Sequence, residues 1–122
     1  MKKLPDSEFE IMKIIWEKEI PITSNVIMQA LNDEKTWKVP TVISFMKRLV
    51  NKGFLKTEKN GKERIYFPLV TKEEYLKFET EEFMQQYHKN SFASFLNAFC
   101  SEKDLKEEEL NELLDWAKKR GK

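Results

Sequence analysis

The side chains whose types and spacing are suited to binding a ligand lie in one stretch of the sequence, residues 38–54 (KVPTVISFMKRLVNKGF). On a helix that turns by about 100° per residue, its polar and cationic side chains share one side. That side holds Pro40, Thr41, Ser44, Lys47, Arg48 and Asn51, with Ile43 and Val50 on the flank. Hydroxyl, ammonium and guanidinium groups are donors that contact the phosphates and base edges of DNA. The stretch therefore predicts a DNA-contacting helix, with Thr41 and Ser44 reaching bases or a phosphate and Lys47 and Arg48 reaching a phosphate or a guanine edge.

The distribution of charge also favours a polyanionic partner. The whole chain has a net charge of only +1, yet residues 35–64 hold nine Lys or Arg against two Glu, a local charge of +7. A local excess of this kind is typical of a surface that binds nucleic acid. Within it, Lys38, Lys59, Lys62 and Arg64 are predicted to contact phosphates.

The sequence lacks the residues that disulfide bonds, metal sites and catalytic sites require. A single cysteine, Cys100, cannot form an internal disulfide, and one histidine, His88, cannot supply the clustered ligands of a zinc site. No nucleophile-base pair and no phosphate-binding loop is recognisable. We therefore expect no enzyme activity, no metal and no cofactor. Apolar runs are too short to cross a bilayer and no signal peptide is recognisable, so a cytoplasmic protein that binds no membrane is expected.

The elements that must position the contact residues begin with three short helices. Asp6 or Ser7 is predicted to cap the first helix, which should end before Pro21. An extended segment, IPIT, follows at residues 20–23, and Thr23 or Ser24 then caps a second helix. The third helix begins near Pro40 and ends before Gly53, because proline suits a first helical turn and glycine the left-handed position after the last.

Two strands follow the third helix, with the sequences FLKTEK and KERIYFPL. Asn60-Gly61 between them predicts a two-residue type I′ turn, which would place Lys59 opposite Lys62. Three helices and a basic hairpin predict a winged helix-turn-helix over residues 1–70, a mainly α fold with a small β-hairpin wing. In that fold the third helix enters the major groove of double-stranded DNA, and the wing touches the backbone or the minor groove.

Residues 71–122 differ in composition and predict a helical dimerisation segment. Thr71 and Glu74 form a capping box for a long helix, which could break near Asn90-Ser91, and Asp104 with Glu107 caps a last helix. A segment this short cannot bury so many aromatic rings within one chain, and we therefore expect a homodimer. The predicted dimer contacts are Leu76, Phe83, Tyr87, Phe92, Phe95, Leu96, Phe99, Leu110, Leu113 and Leu114.

Each of these interpretations has a plainer alternative. A polar helix face can simply be solvated, and the chain could be a winged-helix module for protein-protein interaction that does not bind DNA specifically. Replacing Lys47 and Arg48 with alanine would separate the two. Trp37 could stack on a base but is better explained as a core residue, and Cys100 is better explained as buried than as redox-active.

Four segments resemble the penicillinase repressor family: SEFEIMKIIWEKE, SNVIMQAL, WKVPTVISFMKRLVNKGFL and FASFLNAFCSEKDLKEEELNELL. The resemblance covers nearly the whole chain. It implies a homodimeric winged-helix transcriptional repressor that binds palindromic operators and shuts off resistance genes, often including its own. In the β-lactam branch of the family, a membrane sensor with a metalloprotease domain leads to cleavage in the C-terminal segment, which here implies the bond between Ala98 and Phe99.

The sequence departs from the family pattern at several positions. Pro40 directly precedes Thr41, where relatives have one residue between the proline and the threonine. Ile43 replaces a commonly polar residue, so a base contact there would be apolar, for example with a thymine methyl group. Ala98 stands where the β-lactam branch has asparagine before the scissile bond. The cysteine cluster of the copper-responsive branch is missing, which excludes copper sensing through it.

Overall fold

The protein is described by a computed structural model that covers residues 1–18, 21–31, 37–100 and 105–121. Three helices come first: α1 (Asp6–Glu17), α2 (Ser24–Leu31) and α3 (Val39–Asn51). An antiparallel hairpin follows, with strands β1 (Leu55–Asn60) and β2 (Glu63–Pro68). Three more helices complete the described part of the chain: α4 (Lys72–His88), α5 (Phe92–Phe99) and α6 (Glu107–Arg120). The predicted mainly α fold with a hairpin wing is confirmed.

The chain divides into two compact units, residues 1–79 and residues 80–122. The first contains the winged helix and the beginning of α4. The second contains the rest of α4 with α5 and α6. The boundary between the units therefore lies within α4, whereas the change in composition after residue 70 places it where that helix begins.

The core of the first unit is made by one face from each of the three helices. Ile11, Met12 and Ile15 of α1 are buried against Ile27 and Leu31 of α2. The α3 face consists of Val42, Met46 and Leu49, each with 0% exposure. Burying a side chain of this size stabilises the fold by about 1.5–3 kcal/mol. The inner face of α3 is thus fixed, and its outer face has to point to solvent.

The ends of α3 are defined as the sequence predicts. Pro40 lies in the first turn, and Gly53, just after the helix, has a φ of +82°. The amide of Gly53 donates to the carbonyl of Val50 and the amide of Phe54 to that of Leu49, at 3.0 and 2.9 Å. This pair of bonds satisfies carbonyls that the helix end would leave unpaired.

The capping predictions for the other two helices have different outcomes. At α2 the hydroxyl of Thr23 accepts from the amide of Val26 at 3.3 Å, as predicted. At α1 the prediction is wrong, because the N-cap is Pro5, which has no side-chain acceptor, and Asp6 is already in the helix. An acidic residue in a first turn still interacts favourably with the helix dipole.

The wing turns one residue later than the sequence predicts. Asn60 pairs with Glu63, so the two-residue loop is Gly61-Lys62, and Lys59 lies opposite Arg64 instead of Lys62. Gly61 has a φ of +68°, and neither Asn60 nor Lys62 adopts a positive φ. A type II′ turn has this pattern, with glycine at its first central position, whereas type I′ would need two left-handed residues. The turn thus confines the left-handed conformation to the glycine.

Replacing Gly61 with alanine should therefore destabilise the wing by about 1 kcal/mol, because an L-residue is strained at this φ. Space is not the reason, since nothing lies within 4 Å of the added Cβ. Thermal unfolding of the protein measures the effect. Lys62→Ala in the same turn is the matched control and should be nearly neutral, and equal losses from both substitutions would contradict the type II′ assignment.

The base of the wing is joined to the segment between α1 and α2. The amide of Tyr66 donates to the carbonyl of Ile22 at 2.8 Å, and the two residues form an isolated antiparallel bridge. The predicted extended conformation is confirmed at Ile22, while Ile20 lies outside the described residues. Tyr66 itself is buried.

Tyr75 joins α4 to α1, to the segment before α1 and to the residue that precedes β1. Its side chain is fully buried, and its hydroxyl accepts a hydrogen bond from the amide of Leu4 at 2.7 Å. Four aromatic rings lie 5.6–6.2 Å from its ring, centroid to centroid: Phe9, Trp16, Phe54 and Phe78. The indole of Trp16 also donates to the carbonyl of Val70 at 2.9 Å. The start of α4 is thus part of the winged-helix core.

An ion pair between an exposed lysine and a buried carboxylate links the end of α3 to α1. Glu8 is only 1% exposed, and Lys52 Nζ donates to its Oε1 at 2.6 Å. Lys52 is one of the nine cations counted between residues 35 and 64, but its charge is used inside the domain. A buried carboxylate without this partner would be strongly destabilising.

The helices after the wing begin and end largely as predicted. The capping box is confirmed, since Thr71 and Glu74 exchange hydrogen bonds of 3.0 and 3.1 Å. The predicted break is also confirmed, because Lys89 and Asn90 are left-handed and the Ser91 hydroxyl caps α5. Asp104 lies outside the described residues, and α6 begins at Glu107 with Lys106 as N-cap. In the described part of the chain, no helix is long and apolar enough to span a bilayer.

Candidate nucleic-acid interface

The outer face of α3 is solvent-exposed along its whole length. Six predicted contact residues of this segment are exposed, and Ile43 is half-buried on the flank. The exposed six are Lys38, Pro40, Thr41, Ser44, Lys47 and Arg48. Beneath this face the helix is held by its buried side and by a perpendicular contact between the rings of Trp37 and Phe45, 5.1 Å apart. Trp37 thus packs against the core, as the sequence predicts.

In the part of the chain that the structure describes, the cations of the predicted surface form no ion pair. Among the described residues, ion pairs involve Lys13, Lys52 and Lys56 only. The six predicted DNA-contacting cations are all exposed: Lys38, Lys47, Arg48, Lys59, Lys62 and Arg64. Arg48 makes one contact within the domain, with its guanidinium 5.7 Å from the ring of Phe45. These six groups can give their full charge to an external anion.

A cleft of about 350 Å³ lies between the outer face of α3, the wing and the start of α2. It is lined by Ile43, Lys47, Lys62, Glu63, Arg64, Tyr66, Thr23, Ser24 and Asn25. A second depression of about 290 Å³ on the other side of Lys47 and Arg64 is lined also by Val50, Asn51, Thr57 and Tyr66. Lys47 and Arg64 border both, so these two cations stand at the centre of the surface between helix and wing.

Five residues of this cleft are not among the predicted contacts: Thr23, Ser24, Asn25, Glu63 and Tyr66. Thr23 caps α2, and Ser24 and Asn25 are its first two residues, whereas the sequence predicts only a capping role for Thr23 or Ser24. In a helix-turn-helix, the helix before the recognition helix crosses the DNA backbone, and this geometry was the available signal. Their hydroxyl and amide groups lie beside the cations of α3 and the wing.

The wing brings two cations together at its tip. Lys59 and Arg64 are cross-strand neighbours, and both are exposed. Like charges in this position destabilise a hairpin by some tenths of a kcal/mol, and an anionic partner removes the repulsion. The prediction that Lys59 faces Lys62 is wrong, because the shifted turn places Arg64 opposite Lys59.

No group of three His, Cys, Asp or Glu side chains in the described ranges is arranged to hold a metal ion. Cys100 is half-buried at the end of α5. His88 is half-buried in the second unit, where its Nδ1 lies 2.9 Å from the Ser94 hydroxyl. Neither side chain belongs to the surface formed by α3 and the wing.

The apolar residues predicted to form a dimer contact are not buried within one chain. Seven of the ten are exposed: Leu76, Phe83, Tyr87, Phe92, Phe99, Leu110 and Leu114. Phe95, Leu96 and Leu113 are half-buried and line a cleft of about 400 Å³ between α5 and α6. Trp116 of α6, which the sequence reasoning left out, is 56% exposed.

Comparison with known proteins gives a family match over nearly the whole chain. The sequence model of the penicillinase repressor family matches residues 4–119. The penicillinase repressor of Bacillus licheniformis is 32% identical over 116 residues, which cover 93% of this chain and 90% of that protein. The methicillin resistance regulatory protein MecI of Staphylococcus aureus is 30% identical over 112 residues, covering 91% and 89%.

Solved structures of the repressor BlaI also resemble this chain. The DNA-binding domain of the repressor BlaI superposes with a TM-score of 0.53 at 33% identity, covering 62% of this chain and 94% of that one. Monomeric Bacillus licheniformis BlaI in complex with the blaP half-operator superposes with a TM-score of 0.51 at 31% identity, covering 61% and 89%. The winged-helix fold and the match from residue 4 to residue 119 place the chain in the penicillinase repressor family, a family of DNA-binding repressors and not of enzymes.

Proposed function

We propose that this chain represses transcription as a homodimer that binds an operator made of two inverted half-sites. In each half-site, α3 lies in the major groove, and the wing contacts the neighbouring backbone or minor groove. The observation that carries the proposal is the row of exposed cations and hydroxyls on the outer face of α3, continued by Lys62 and Arg64 of the wing. A related repressor, BlaI, binds its blaP half-operator with a domain of the same fold.

Dimerisation is supported by the apolar residues of α4, α5 and α6. Five large side chains of the second unit are between 52% and 65% exposed, namely Tyr87, Phe92, Phe99, Leu114 and Trp116. Soluble monomers rarely expose this much clustered apolar surface, and burying it between two copies is favourable. A two-fold dimer then matches the symmetry of an inverted repeat.

Membership of the penicillinase repressor family supports a proposal for the regulated genes. We propose that the chain controls β-lactam resistance or related stress genes, with repression relieved by an external signal through a membrane sensor-protease that acts indirectly. The bond between Ala98 and Phe99, in the last turn of α5, is the candidate cleavage site. A helical bond must unfold locally before a protease can bind it, so cleavage here would require α5 to open first.

The proposal predicts sequence-specific, strongly salt-dependent binding. Selection from a library of random duplexes should enrich an inverted repeat. Fluorescence anisotropy should then give at least a hundredfold preference for that repeat over a scrambled duplex near physiological salt. The logarithm of the binding constant should fall with the logarithm of salt concentration with a slope of about −0.9 for every phosphate contacted.

Two controls define failure of this proposal. Equal affinity for the selected and scrambled duplexes at physiological salt would contradict specific repression. If light scattering at the same protein concentration gave the mass of one chain, the proposed dimer would be wrong. Enrichment of a single half-site without an inverted repeat would likewise indicate a monomer.

A further inference from the structure

Ile43 is an apolar residue that the core of the first unit does not use. It is half-buried, but it is neither among the buried core residues nor among the partly buried side chains packed against them. Val50, its neighbour on the same flank of α3, does pack against that core. The aliphatic side chain of Ile43 therefore lies outside the hydrophobic core of the domain.

The surroundings of Ile43 are polar and cationic. It lines the cleft between α3, the wing and the start of α2, together with three cations, Lys47, Lys62 and Arg64, and one carboxylate, Glu63. Tyr66, the other large apolar side chain of this cleft, is only 6% exposed. Ile43 is thus the accessible aliphatic group among the cations of this cleft.

The major groove of DNA offers one apolar group at a base edge, the C5-methyl of thymine. Residues in the N-terminal half of a recognition helix are the ones that contact base edges, and Ile43 is the fifth residue of α3. We propose that Ile43 is a specificity-determining residue that recognises a thymine methyl group in each half-site. This inference rests on the proposed function, because it assumes that the outer face of α3 enters the groove.

Deoxyuridine gives a test at the level of one methyl group. It replaces thymine without changing any hydrogen-bonding group, so a duplex with one substituted thymine reports the methyl contact alone. One thymine in each half-site of the selected operator should show the effect. Replacing that thymine in a single half-site should weaken binding by about threefold to fourfold, as expected for removing one buried methyl group. Binding of Ile43→Ala should not change with the same replacement.

The control variant is Lys13→Ala, which removes a side chain of α1 and should keep the full deoxyuridine effect. Thermal unfolding of Ile43→Ala should match that of the wild type, because the residue is not packed against the core. The inference is overturned if no thymine shows the effect, or if the effect is equal in wild type and Ile43→Ala. It is also overturned if Ile43→Ala unfolds several degrees lower while keeping the wild-type deoxyuridine response. Absence of any specific duplex would instead refute the proposed function.

Discussion

Alanine at both Lys47 and Arg48 should reduce operator affinity by roughly 100-fold per half-site, since losing a guanine contact costs about 1–3 kcal/mol and losing a phosphate contact adds to that loss. A dimer carries the substitutions twice, so the loss on a full operator should be larger still. Both side chains are exposed and make no ion pair within the described residues. The affinity should also become less sensitive to salt, with a slope smaller by about 0.9 for each lost phosphate contact. Anisotropy titrations of the selected duplex over a range of salt concentrations measure both quantities.

The matched control removes two cations elsewhere. Lys13 and Lys18 are exposed at the C-terminal half of α1 and after its end, and replacing both with alanine changes the net charge equally. This control should bind DNA nearly as the wild type does. If the Lys47 and Arg48 double variant also bound normally while its melting temperature was unchanged, the face would not be a DNA surface. A protein-interaction winged helix would then be the better explanation.

Replacing Tyr75 with alanine should destabilise the protein by about 3–5 kcal/mol, the usual cost of removing a buried aromatic ring. The substitution would leave a cavity among Phe9, Trp16, Phe54 and Phe78, and the Leu4 amide would lose its acceptor. Urea unfolding at one fixed protein concentration measures the loss, since the stability of a dimer depends on concentration. An unchanged midpoint would show that α4 does not belong to the winged-helix core.

Tyr75→Phe is the conservative partner of that variant and should cost only about 1–3 kcal/mol at neutral pH, because the ring stays and one buried donor loses its acceptor. Burial of the hydroxyl raises the pKa of Tyr75 to about 12, the Leu4 amide opposes the rise, and Glu79 adds to it. An unfolded tyrosine titrates near 10. A raised pKa means that this contribution to stability is complete below about pH 10 and is lost as the pH rises through about 12. The stability advantage of wild type over Tyr75→Phe should therefore shrink across that interval.

Much of the candidate site could be predicted because it depends on local signals. Proline and glycine fix the ends of α3, and the spacing of its apolar residues decides which face is buried. The resulting prediction that Lys47 and Arg48 are exposed is confirmed. The capping box at Thr71 and the break before Ser91 are likewise set by neighbouring residues, and both are present.

Two features that sequence reasoning missed depend on residues far apart in the chain. Lys52 is paired with Glu8, 44 positions away, so a count of cations overstates the charge available to DNA. Tyr75 reaches Leu4 across 71 positions, which puts the boundary between units inside α4. Local propensity cannot decide either of these two cases. The shifted turn of the wing is different because it is local: Asn-Gly is a strong turn signal, but a turn with one left-handed residue displaces the loop by one position.

The base of the wing is held by contacts with the rest of the domain, and its tip is exposed. The two parts should therefore differ in the substitutions that they tolerate. At the base, the bond from Tyr66 to Ile22 and the burial of Tyr66 prevent the strand from slipping by one residue, because a slip would turn this ring to solvent. At the tip, Lys59, Gly61 and Lys62 are exposed, and nothing lies within 4 Å of a Cβ added at Gly61. Changes in the length or charge of the tip can therefore accumulate without loss of folding. The tip of the wing can therefore be redesigned for a new DNA preference without any change to the sequence of the neighbouring α3.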